Sequence, residues 1–119
     1  MKKVIGALAL LAFPILLDAQ AIPSSKLAFD MAAPDLVSAQ GYTYKYYPDN
    51  AVTGAVLNGV TCSGTASPFQ CEAPFPAFTP GNHTLKLSAS NIAGEGTLSS
   101  PFAFVFVVTP GTPVNIHIK

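Results

Sequence analysis

The chain has 119 residues, 50% of them hydrophobic and only 10% charged, which suits one domain and leaves no room for two. Six Lys balance six acidic residues and Arg is absent, so no basic patch is available to neutralise phosphates and nucleic acid is not an expected partner. Eleven Pro and nine Gly, with β-branched and aromatic residues in short runs, favour many short strands over helices.

The first 21 residues read as a secretory signal. "MKK" is a positively charged start, "VIGALALLAFPILL" is an apolar run, and "DAQA" offers small residues Ala19 and Ala21 where a signal peptidase reads. Cleavage is expected between Ala21 and Ile22. A membrane anchor is the competing reading, but the apolar run is too short to cross about 30 Å of hydrocarbon and contains Pro14. No Cys follows the cut to take a lipid anchor, and no later stretch is apolar over a membrane-spanning length. The mature product, residues 22–119, is therefore expected to be soluble and extracytoplasmic, secreted or periplasmic.

"GYTYKYYPDN" at 41–50 reads as a strand closed by an Asp-Asn turn. "GAVLNGVTCSG" and "FQCEAPFPAF" read as two short strands. Between them Cys62 and Cys71, the only cysteines, are expected to form one disulfide, because export puts an even pair in an oxidising compartment. A redox pair usually sits at C-x-x-C spacing, and a zinc site needs more ligands than these. Pro80 and Gly81 then make a turn. After it His83, Leu85, Leu87 and Ala89 fall on one face, with Thr84, Lys86, Ser88 and Ser90 on the other. Asn91 to Gly96 breaks that strand, and "FAFVFVV" at 102–108 forms the next.

"PGNHTLKLSASNIAGEG" resembles the F strand and F–G loop of fibronectin type III and related bacterial immunoglobulin-like domains. The shared features are a Pro-Gly turn, alternating apolar residues and Ala-x-Asn-x-x-Gly-x-Gly. Where that family has a corner tyrosine, His83 stands here, a departure that points to the looser immunoglobulin-like relatives. "GYTYKYYPDN" resembles the family's C strand. "KLAFDMAAPD" resembles its B strand, with Phe29 where the family usually has Trp. The resemblance covers residues 26–109 and implies an all-β sandwich of about seven strands, residues 22–109. The histidines and carboxylates show no Ser-His-Asp order and no close acid pair, so no catalytic site is expected, and neither a cofactor nor a metal.

Side-chain roles follow from the alternation. Tyr42, Tyr44 and Tyr46 share the inward face, whereas Tyr47 is expected to be exposed, as part of an aromatic platform if the module binds glycans. His83 fits a hydrogen-bonded corner better than a metal ligand or base. His117 is expected in solvent. Asp49 and Asn50 fall short of the carboxylates calcium needs and suit a turn. Asn82-His83-Thr84 matches a glycosylation acceptor, a coincidence if the short "MKK" signal is bacterial. Loops 49–54, 63–68 and 91–101 are the expected contact surfaces. Within them and beside them Tyr47, Asp49, Asn50, Asn91 and Glu95 are candidate contact residues for a protein or glycan ligand.

The expected function is therefore a non-enzymatic binding or adhesion module. A structural subunit assembling by strand addition and a carbohydrate-binding module are the alternatives. The first alternative comes from residues 110–119, where Val114, Ile116 and Ile118 alternate with Asn115, His117 and Lys119 as in a half-buried strand. That tail strand has three possible fates: pairing parallel within its own sheet, entering a second copy head to tail, or hanging free.

Overall fold

Apolar alternation cut by Pro and Gly produces nine strands and one short helix in the computed structural model, which describes residues 19–119. The charged start and apolar run of the expected signal lie outside the described residues. The elements are β1 (Ala19–Ala21), β2 (Lys26–Met31), α1 (Leu36–Gly41), β3 (Thr43–Pro48), β4 (Ala55–Val56), β5 (Thr61–Ser63), β6 (Phe69–Pro74), β7 (Gly81–Asn91), β8 (Gly94–Glu95) and β9 (Phe102–Phe106). They form two sheets, ordered β1-β9-β7-β3-β4 and β2-β6-β5, with β8 added beside β7. All pairings are antiparallel except β1 with β9. The architecture is an all-β sandwich.

The core lies where the inward faces meet. Leu85 is 2% exposed and packs with Tyr44, Phe104 and Phe106 of its own sheet and with Leu27 and Ala73 of the other. Phe75 and Phe78, from the connection between β6 and β7, close one end by packing edge-on against Phe104 at 5.0 and 4.9 Å. Aromatic pairs at this spacing stabilise by about 0.5–1.5 kcal/mol beyond the area they bury. Leu87, one step further along β7, is only half-buried.

A second cluster, Ala39, Cys62, Phe69 and Cys71, sits at the opposite end under α1. That helix was not expected from the sequence. It starts because Asp35 caps it, its carboxylate accepting the Ser38 N–H at 2.8 Å, and it persists because Ala39 is buried. No helix among the described residues is long and apolar enough to cross a membrane.

Two further differences concern the chain ends. Ala19–Ala21, the last residues of the expected signal, form β1, and Ala21 is buried. Residues 110–119 form no strand, so the tail does not pair within its own sheet. β1 already takes the edge of β9 at Phe104–Phe106.

Candidate functional site

Strand register decides which connections share an end. Met31 pairs with Phe69, Ser63 with Gln70, and Thr43 with Ser90. Residues 32–42, the 63–68 loop and the β7–β8 tip therefore gather at one end, here called the helix end. The 49–54 loop, the 75–80 connection and the tail lie at the other. The expected contact loops are thus split, with 49–54 away from 63–68 and 91–101. The last of these is also less free than expected. Gly96 N–H donates to the Ala89 carbonyl at 2.9 Å, and Ser99 exchanges bonds with the Leu87 backbone at 2.9 Å, so only the tip at 91–94 projects.

The helix end is tied down from several directions. Cys62 and Cys71 face each other across β5 and β6 and are bonded, Sγ to Sγ 2.02 Å. Gln40 Oε1 accepts the Cys62 N–H, and the Tyr44 hydroxyl donates to the Ala39 carbonyl at 2.6 Å. Ser67 Oγ accepts the Ala33 N–H at 3.2 Å. Burial pushes the Tyr44 phenol above its ordinary pKa. On this braced base Val37 is 81% exposed and Ile92 fully exposed. Asn91 serves the tip itself, its Oδ1 accepting the Ala93 N–H at 2.8 Å.

Tyr47 is not an exposed contact residue. It points away from the core, as the alternation requires, yet is only 7% exposed. Its ring lies over Gly54, where an added Cβ would come within 2.6 Å of the ring, and its hydroxyl donates to Glu95, which also accepts from Ser88. These two donors, with the charge of Lys45, hold the Glu95 carboxyl below its usual range, and Glu95 in turn pushes the Tyr47 phenol up. Glu95 is thereby committed to holding β8 and the outer face of the first sheet. A flat tyrosine platform is not formed.

At the far end Asp49 and Asn50 both take positive φ, 49° and 64°, and the Ala51 N–H closes the turn on the Pro48 carbonyl at 2.9 Å. Asp and Asn tolerate that backbone better than most residues. Asn50 is exposed, whereas the Asp49 carboxylate is engaged. It accepts the Thr84 N–H at 3.0 Å and meets His83 Nδ1 at 2.8 Å. This partner comes from 34 residues away and carries no local signal.

Thr79 completes an Asp-His-Thr series, since its Oγ1 lies 3.3 Å from His83 Nε2. The series does not activate a nucleophile. The Thr79 carbonyl is nearer Nε2, at 2.7 Å, and accepts its proton. With an acceptor at each nitrogen, His83 is raised above its ordinary pKa, first by the Asp49 carboxylate and then by the Thr79 carbonyl. Asp49 is correspondingly lowered, by the Thr84 N–H and by His83. His83 packs its ring on Phe78 at 4.9 Å, which makes it the corner residue expected from its position. Among the described residues no group of three or more His, Cys, Asp or Glu is placed to hold a metal ion. No protein-family model, curated protein or solved structure matches this chain.

Proposed function

We propose that the chain is an exported, non-enzymatic binding or adhesion module on an immunoglobulin-like sandwich of the fibronectin type III kind. The strand order supports the fold assignment. With β2, β3, β4, β5, β6, β7 and β9 taken as B, C, C′, D, E, F and G, one sheet reads G-F-C-C′ and the other B-E-D. The Cys62–Cys71 bond supports an oxidising, extracytoplasmic compartment.

The observation that carries the functional reading is the helix end, where a disulfide-braced base presents Val37 and Ile92 to solvent. Exposed aliphatic side chains on rigid loops bind at little ordering cost. The glycan-binding alternative loses its main support with the burial of Tyr47.

The test is binding of fluorescently labelled protein to washed envelopes of the producing cells. Val37→Asp/Ile92→Asp should weaken binding by about tenfold or more, the loss of roughly 1.4 kcal/mol, with Tm unchanged. Val52→Asp, at the other end, should bind as wild type does. Equal binding by the helix-end variant refutes the reading.

A further inference from the structure

We propose that processing after Ala21 turns this closed sandwich into a strand acceptor, and that residues 113–118 of a second copy fill the vacated slot. The inference rests on the export reading above. β1 consists of the three residues that signal cleavage would remove last. It pairs Ala19, Gln20 and Ala21 with Phe104, Val105 and Phe106, and the Ala21 carbonyl accepts the Val107 N–H at 2.8 Å. Cleavage after Ala21 would strip this cover from β9 and leave its backbone groups as an open, apolar edge, a ready template for another strand.

The slot is longer than its occupant. β1 stops short of Phe102, which is 44% exposed, and an apolar groove of about 330 Å³ lies between the sheets along this edge. Leu27 and Phe29 wall it on one side and Leu85, Leu87 and Phe104 on the other, beside the small side chains of Ala19 and Ala21. A strand with larger inward residues and one more pair would fit it better than β1 does.

The tail has that pattern. Val114, Ile116 and Ile118 are 80%, 90% and 98% exposed, and they alternate with polar residues. Set parallel to β9, they fall opposite Phe102, Phe104 and Phe106. Asn115, at φ 54° in the free tail, has only to turn extended, which asparagine does readily.

Polarity selects the second copy. The tail leaves its own body at the Phe106 end, so turning back along its own β9 would make an antiparallel pair. The parallel slot is entered from the Phe102 end, which places the donor beyond the acceptor's helix end. Each copy then gives and accepts one strand by different surfaces, and such a contact builds an open chain rather than a closed dimer. Residues 107–113 extend over about 23 Å at most, which limits how far apart the bodies can lie.

The full-length chain should be exported from a bacterial host and its intact mass and size-exclusion profile measured, together with Ile116→Asp and a truncation after Val108. Expected are a mass beginning at Ile22, a ladder of multimers for wild type, and monomers for both variants with Tm lower by at least about 5 °C. A synthetic TPGTPVNIHIK peptide, added to the truncated chain during refolding, should restore the lost Tm. Wild type beginning at Ile22 but monomeric, multimers from either variant, or no rescue by peptide would each overturn the proposal. A mass retaining Ala19–Ala21 also overturns it, because the slot stays full. Run on the monomeric Ile116→Asp chain, whose helix end no second copy covers, the envelope-binding assay tests that end by itself, so either reading can fail without the other.

Discussion

Leu85, Leu87 and Tyr47 show what alternation tells about a residue and what it does not. It assigns faces, and Leu85 and Leu87 do lie on the inward face of β7. Depth depends on what the other sheet brings opposite. Leu85 is 2% exposed within the main core, whereas Leu87 packs against its margin and stays half-buried, although both line the groove at the β1 edge. Leu85→Ala should therefore cost about 2–5 kcal/mol in urea unfolding, and Leu87→Ala distinctly less. Equal losses would show that the groove collapses around Leu87. For Tyr47 alternation gives the correct face and the wrong exposure. Outward was equated with wet, but Gly54 leaves room for the ring to lie flat and Glu95 takes its hydroxyl. Both partners are remote in sequence, and neither carries a local signal. Asp49 and His83 repeat the lesson, since each was legible as a turn or corner residue and their pairing was not.

At the scale of elements, strands with strict period-two patterns were legible and short elements were not. β3, β6 and β9 fall within the runs that marked them, and β7 outruns its own at both ends, into Gly81 and Asn91. α1 escaped because six residues offer too little helical periodicity, although Asp35 after Pro34 and before Leu36 is a capping signal that could have been read. The tail shows the converse limit. Alternation says that a segment can be a strand and cannot say whether an edge is free to receive it. The β5–β6 pair is three residues long on one side, so loss of the disulfide should be felt first there. Cys62→Ser/Cys71→Ser should lower Tm by roughly 10–20 °C, from about 2.5–3 kcal/mol of lost stabilisation. Amide exchange should quicken at 36–41 and 61–71, because Gln40 and Ala39 rest on Cys62, while β3 and β7 stay protected. Uniform acceleration across both sheets would contradict a local role.

For the whole molecule, charge is scarce, so a few titrating contacts set the pH range of the fold. Asp35, Asp49 and Glu95 are all held below their ordinary values of 3.8, 3.8 and 4.5, each chiefly by hydrogen bonds. A lowered carboxyl stabilises the folded state above its ordinary value and loses that contribution as pH falls through the folded one. His83 acts in the opposite sense. Raised above 6.5 by Asp49 and the Thr79 carbonyl, it contributes fully below 6.5 and loses that contribution as pH climbs through its folded value. Tyr47, raised above 10.0 by Glu95, adds a second loss only at strongly alkaline pH. The window of greatest stability therefore runs from about pH 4.5 to about pH 6.5, slightly acid rather than neutral. The expected Tm, followed by calorimetry from about pH 3 to 9, is a plateau across that window with a decline on each side. His83→Gln keeps a hydrogen-bonding side chain without the charge and should remove the decline above neutrality while keeping most of the acid limb, which Asp35, Glu95 and the Thr84 N–H on Asp49 still supply. Asp49→Asn should flatten the neutral decline too, because His83 loses its charged partner, and should also shorten the acid limb. An equally steep neutral decline in His83→Gln would mean that another group governs that limb.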